Sequence, residues 1–249
     1  MRRFWIAPAL VAALTFAPGA GAQQITEYTD AERAQFRAEV RAYLMENPEV
    51  IMEAIEALRA REAQQQAQAD FTLVAEHRAA IFEDGYSWVG GNPEGDITLV
   101  EFLDYRCGYC KRAHGEVDKL LKADGNIRLI VKELPILGEQ SVLASRFAIA
   151  TKQLAGDDSY KAIADALMAF NGEITLPALT RMANTFGLDA QAIAERMDGP
   201  EVTEEISRTR ALAQQLSISG TPTFVMQDEL LRGYLPFDQV QAILEDKRG

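Results

Sequence analysis

The chain holds two cysteines, Cys107 and Cys110, within residues 102–112, FLDYRCGYCKR. Thiols at C-x-x-C spacing offer three chemistries: a structural disulfide, part of a metal site, or a reactive dithiol. A bridge between them closes so small a loop that it constrains the unfolded chain little. A zinc site takes four nitrogen or sulfur ligands. Cys107, Cys110, His77 and His114 are the whole supply, and His77 stands in a remote helical stretch. A redox dithiol is the favoured reading, and it needs no metal and no organic cofactor.

The elements that position this pair follow from hydrophobic period. Residues 97–105 are apolar on both faces, as in a strand inside a sheet. Residues 107–123 read as a helix, which puts Cys107 at its N-terminus. Unpaired amides and the helix dipole favour a thiolate there. Lys111, Arg112 and His114 add positive potential within two turns. Counting by two from Ile97 gives Leu99, Glu101, Leu103 and Tyr105, so Glu101 lies on an otherwise apolar face. Buried there with a raised pKa, it could relay the proton of Cys110. The alternative is a partly solvated face on which Glu101 is merely polar. Lys132, on the next predicted strand, either pairs with Glu101 or faces solvent.

Residues 127–134 read as a second buried strand. With the intervening helix they form a β-α-β unit, hence a parallel pair. A run of helical segments fills residues 139–217, broken near Gly156, Asn171-Gly172, Gly187 and Gly199-Pro200. Strand character returns at residues 223–226, turns at Gln227-Asp228, and continues through residues 230–234 before a closing helix. Upstream of Tyr86 two stretches look helical. Asp30 can cap the first, with Phe36, Val40, Tyr43 and Leu44 along one side; Asn47 and Pro48 open the second. Ile51, Ile55 and Leu58 form a narrow stripe, followed by a segment of Ala, Gln, Glu and Arg. A helix with so little to bury bridges solvent or packs against copies of itself.

The N-terminus sets the compartment. Arg2 and Arg3 precede an apolar run, and Ala20-Gly21-Ala22 closes it: the pattern of a signal peptide cleaved after residue 22. Export to an oxidising space, most simply a bacterial periplasm, follows. Arg2 and Arg3 are the only charged side chains of that segment, so its removal takes the formal charge from −12 to −14. This argues against nucleic acid or an anionic membrane as principal partner. About 225 remaining residues are ample for a core.

FLDYRCGYC, the helical block and Ser219-Gly220-Thr221-Pro222-Thr223-Phe224, in that order, resemble the exported DsbA-like thioredoxin-fold family. Residues 132–138, KELPILG, and Arg232-Gly233-Tyr234 add to the likeness. The expected fold is therefore α/β: a thioredoxin fold with an inserted helical domain over residues 139–217 and an N-terminal helical extension. The expected organisation is a signal peptide at 1–22, a helical oligomerisation segment at 23–85 and the DsbA-like domain at 86–249. The resemblance implies a cis bond before Pro222 facing the dithiol, with the Thr221 backbone free to pair with a substrate strand. From the sequence alone a trans bond is the default. Within the family, Glu-Asn-Pro-Glu-Val followed by a long Ala/Glu/Gln helix is most similar to the suppressor-of-copper-sensitivity protein C (ScsC-like) group, some of whose members are trimeric disulfide isomerases.

The chemistry so implied is thiol-disulfide exchange, with Cys107 attacking and Cys110 resolving the mixed disulfide. Unfolded or mispaired secreted proteins would meet a surface built from Tyr105, Tyr109, Thr221 and Pro222, although ordinary packing also accounts for the tyrosines. Three roles compete: an oligomeric isomerase or reductase kept reduced by a membrane redox partner, a monomeric dithiol oxidase, and a copper-binding protein using the dithiol as a soft Cu(I) site. Seven methionines without a Met-rich or His-rich cluster weigh against the last.

Overall fold

The structure is a computed structural model that describes residues 29–249. The expected signal peptide and the first residues of the expected oligomerisation segment lie outside the described residues. The chain divides into two compact units between Leu58 and Arg59.

In the first unit, α1 (Asp30–Glu46) opens with a capping box: the Thr29 hydroxyl accepts from the Glu32 amide, and the Glu32 carboxylate accepts from the Thr29 amide at 2.7 Å. The cap is thus Thr29, not Asp30, because the Thr29 hydroxyl and the Glu32 carboxylate satisfy two helix-start donors reciprocally. Asn47 closes the helix, with backbone and side-chain nitrogens both donating to the Tyr43 carbonyl. No residue of α1 is buried, and Phe36, Val40, Tyr43 and Met45 are exposed. Ile51, Met52 and Leu58, at the start of α2 (Glu49–Glu76), are exposed too.

In the second unit the end of α2 leads to the short α3 (Arg78–Phe82) and then to a five-stranded sheet. Its strands are β1 (Trp88–Gly91), β2 (Ile97–Leu103), β3 (Ile127–Glu133), β4 (Thr223–Met226) and β5 (Glu229–Arg232). They lie in the order β1-β3-β2-β4-β5. The β2–β3 pair is parallel and is joined by α4 (Gly108–Ala123); the other pairs are antiparallel. Between β3 and β4 come α5 (Glu139–Ala169), α6 (Leu176–Thr185), α7 (Ala190–Met197) and α8 (Pro200–Gln215), and α9 (Phe237–Arg248) ends the chain. Within α5 the helix breaks at Gly156, whose φ of 81° suits a residue without Cβ. β1 went unread in the sequence because four residues ending in Gly90-Gly91 carry almost no strand signal.

Strand alternation sorts the core into two layers. Ile97, Leu99 and Leu103 of β2 pack with α4 and α5, whereas Val100 and Phe102 pack with Val74, Ile81 and Leu212 from α2, α3 and α8. The central strand is therefore covered on both faces, as its apolar run requires. β2 ends at Leu103, and the chain turns through residues 104–106 into α4, which places Cys107 past the C-terminal end of β2, beside the start of β4.

Candidate active site

Cys107 is the N-cap of α4, and its sulfur accepts a hydrogen bond from the Cys110 amide at 3.4 Å. In the thiol form the same sulfur donates to the Thr221 carbonyl at 3.1 Å. The Thr221–Pro222 peptide is cis. Pro222 sits just before β4, which pairs with β2 so that Phe102 faces Thr223 and Glu101 faces Phe224. The sheet itself thus brings residues 107 and 221 together. Cys110 lies behind, fully buried. Burial pushes its thiol well up; the Asp104 backbone and the Thr221 hydroxyl act the other way, and the charges of Glu101 and Cys107 add to the rise. Both cysteines are free thiols. A sulfur at a helix start with its partner one turn behind can attack a disulfide and then be released by that partner.

Glu101 is buried on the α4 side of β2, and its Oε1 has no hydrogen-bond partner. Desolvation raises its pKa to about 7, opposed by the charge of His114 and reinforced by Glu133 and Asp118. A cavity of about 20 Å3 adjoins it, bounded among others by His114, Val117, Asp118, Tyr160 and Asp165. His114 Nε2 lies 3.0 Å from Asp165 and 4.0 Å from Asp118. Beside this cavity, Glu133 accepts from the hydroxyls of Tyr105 at 2.6 Å, Tyr160 at 2.7 Å and Ser145 at 2.7 Å. Burial raises Glu133 to about 7 despite these donors.

Tyr109 is exposed, tilted against Tyr234 with ring centroids 6.4 Å apart, and the Arg112 guanidinium lies over its ring. Tyr105 is a correction: it is wholly buried with its hydroxyl committed to Glu133, so it contributes no contact surface. Lys132 is another. It pairs opposite Phe102, so it points to the other sheet face from Glu101, and it is buried rather than solvated. There it meets the Asp84 carboxylate and donates to the Ala80 carbonyl at 3.1 Å.

Asp104 was missed in the sequence. Its carboxylate, fully buried, accepts from the amides of Arg106 at 2.8 Å, Ile136 at 2.8 Å and Leu137 at 3.0 Å. It ties the loop before Cys107 to the loop after β3. A polar residue ending a buried strand was the available signal, and it does not name the partners. Among the described residues, no cluster of three or more His, Cys, Asp or Glu is arranged to hold a metal ion.

Residues 98–245 match the DSBA-like thioredoxin domain, and residues 32–65 match the copper resistance protein ScsC N-terminal domain. A solved thioredoxin-like oxidoreductase from Silicibacter pomeroyi DSS-3 is 43% identical, with a TM-score of 0.65, over 69% of this chain and 97% of that one. The structure of Proteus mirabilis ScsC in a transitional conformation is 27% identical, with a TM-score of 0.63, over 88% of this chain and 98% of that one. Among curated proteins, the Na(+)/H(+) antiporter NhaA of Herminiimonas arsenicoxydans is 29% identical over 64% of this chain, which spans about a quarter of that relative's length. With the dithiol, the cis proline and the inserted helices all inside or against the longer match, the chain belongs to the DSBA-like thioredoxin domain family and carries an ScsC-type N-terminal segment.

Proposed function

We propose that this chain is an exported protein disulfide oxidoreductase that acts on unfolded or mispaired secreted proteins, as an isomerase or reductase. The observation that carries this reading is the contact of the Cys107 sulfur with the Thr221 carbonyl, 3.1 Å apart beside the cis Pro222, with Cys110 buried behind. Cys107 is the attacking thiol and Cys110 the resolving one. The Thr221 backbone, Pro222 and exposed Tyr109 form the surface that a substrate strand meets. Glu101 accepts and returns the proton of Cys110; its burial and raised pKa support that role. A membrane redox partner keeps the dithiol reduced, and the signal-like N-terminus supports a periplasmic site of action.

The segment at residues 23–85 serves self-association, with a trimer favoured by the ScsC-type match at 32–65. The exposed Phe36, Val40 and Tyr43 of α1 support this, because an isolated helix with nothing buried lacks tertiary stabilisation. An isomerase benefits from several dithiols held together around one mispaired substrate.

The test is recovery of activity from a scrambled disulfide substrate, using the chain from Gln23 in mildly reducing buffer. Efficient recovery supports the isomerase. Failure, with rapid oxidation of a reduced substrate by the same preparation, assigns a monomeric dithiol oxidase instead. Mass in solution decides association: Phe36→Glu with Tyr43→Glu lowers the mass of an oligomer and leaves a monomer's unchanged. The name of the family matched by residues 32–65 motivates one further reading, Cu(I) held by the reduced dithiol. Cu(I) titration of the Cys107→Ser and Cys110→Ser proteins tests it, since near-normal affinity in both rules out a shared two-sulfur site.

A further inference from the structure

A buried acid that takes a proton from Cys110 must pass it on before it can act again. The sheet offers no route: the strands on either side of Glu101 place Val131 and Phe224 beside it. Glu133, farther along β3, is already bound by three hydroxyls. The remaining direction is the cavity toward α4 and α5. From these features we infer that His114, held by Asp165, is the group that exchanges the proton of Glu101 with solvent. The proton of Cys110 then leaves the core through the cavity that Glu101 and His114 share. This rests on the reading of Glu101 as proton acceptor.

Three observations carry it. The Oε1 of Glu101 is buried without a partner, and Glu101 and His114 line the same cavity. His114 follows Cys110 by four positions on α4, so both lie on one face of the helix, a turn apart. The His114 side chain is 24% exposed and Asp165 41%, so their ion pair reaches from the cavity to solvent. The cavity, about 20 Å3, has room for one water molecule, and Glu101, His114, Asp118 and Asp165 all line it. Donation from Nε2–H to Asp165 leaves Nδ1 as the accepting nitrogen of the neutral ring.

The charges fit this use. Glu101 is coupled by charge to Cys110, His114 and Asp118 of α4 and to Glu133 of β3, and Lys161 and Asp165 line the α5 wall of the same cavity. Lys161 is engaged by Asp165 and lies 3.8 Å from Asp118. His114 is the group of this set that ordinarily titrates near neutrality. The hydrogen bond to Asp165, with the charges of Asp118 and Glu101, raises it against desolvation, while its own charge lowers Glu101, so the two groups are coupled.

In the resolving step Cys110 gives its proton to the Glu101 carboxylate. The thiolate attacks Cys107 Sγ, forming the Cys107–Cys110 bond, and the bond to the substrate sulfur breaks with its electron pair leaving on the substrate thiolate. The dithiol is oxidised and the substrate disulfide reduced. Protonated Glu101 passes its proton through one water to His114, which releases it to solvent; the reverse path supplies a proton when Cys110 is the leaving group.

The experiment uses the reduced chain and an aromatic disulfide whose thiolate absorbs, so that formation of the Cys107 mixed disulfide and its resolution by Cys110 appear as two phases. The second phase is followed from pH 5 to pH 9 in the parent protein, His114→Gln, Asp165→Asn and Glu101→Gln. His114→Gln is expected to slow it roughly tenfold to a hundredfold at neutral pH and to move its inflection upward. Asp165→Asn should slow it less, and it carries the same test from an exposed position should His114→Gln unfold. A slow second phase in Glu101→Gln with unaltered rate and inflection in both His114→Gln and Asp165→Asn overturns the exit path and leaves Glu101 as acceptor. A uniform slowing by His114→Gln without any shift of the inflection makes the residue structural and also overturns the path. An unaltered second phase in Glu101→Gln removes the Glu101 reading and the exit path together.

Discussion

The sulfur of Cys107 and the carbonyl oxygen of Thr221 lie 3.1 Å apart although 114 positions separate them. That contact exists because β4, entering after the helical insertion, pairs with β2 immediately before the turn that carries the dithiol. The site is therefore a product of the completed sheet, and the β-α-β unit alone holds only half of it.

Thr221 offers a second group to the site. Its hydroxyl is buried with no hydrogen-bond partner, and it acts to lower the Cys110 pKa. A hydroxyl idle beside a thiol gains a partner when that thiol ionises. Thr221→Val keeps the carbonyl and the shape. It should slow the Cys110-dependent step about tenfold, an interval of about 1.4 kcal/mol, without loss of stability. An unchanged rate of mixed-disulfide resolution would sink this.

The two thiols should differ sharply toward alkylation. Cys110 is fully buried and its thiol is pushed well up, whereas Cys107, itself buried but with 7% of its surface open to solvent, caps the helix at the site's edge. Only the thiolate reacts, and each pKa unit changes its fraction tenfold. In the reduced chain at pH 8, Cys110 should react with iodoacetamide at least about 100-fold more slowly than Cys107. Mass spectrometry of a time course reads both sites, and comparable rates would contradict the buried placement.

Strand period alone located Glu101 correctly, because a single strand's alternation is written in its own residues. The register between strands is not, and Lys132 shows the cost: one position of offset moves it to the other face of the sheet. Alternation also put Tyr105 on the face of Leu99 and Leu103, where it is buried, although the strand ends at Leu103; its expected place in a substrate surface failed, because the side chain answers to Glu133, 28 residues away. The glycines at 156, 172, 187 and 199 marked the helix boundaries of the insertion well, since backbone conformation is a local property. The cis bond before Pro222 was legible only through likeness to a family. The Glu133 and Asp104 networks were not legible, because each is assembled from elements distant in the chain.

Asp104 should be among the most sensitive positions of the molecule. Its carboxylate is fully buried and receives three backbone amides from two loops. Asp104→Ala leaves those donors without partners, at a cost of about 3 kcal/mol or more. Urea unfolding should show a lower midpoint with an unchanged slope. A midpoint within error of the parent's would mean that water or a shifted loop satisfies the amides.

Glu101 makes stability depend on pH in a direction opposite to a salt-bridged carboxylate. Its folded pKa, about 7, exceeds the ordinary value of 4.5. Between those values the folded state binds the proton more tightly than the unfolded state, so stability falls as pH rises through this window. Below about pH 4.5 the acid is neutral in both states and costs nothing. Above about pH 7 it is ionised in both, and the full penalty, on the order of 3 kcal/mol, is present. Glu101→Gln removes the ionisation and should raise stability above pH 7 by that order while changing it little at pH 4.5. Glu133 has the same sign in both proteins, and only the part of its titration, and of that of His114, that is coupled to the Glu101 charge survives in the difference. Thermal unfolding at a series of pH values reads the effect, and parallel curves for the two proteins would show that Glu101 keeps its ordinary pKa in the fold.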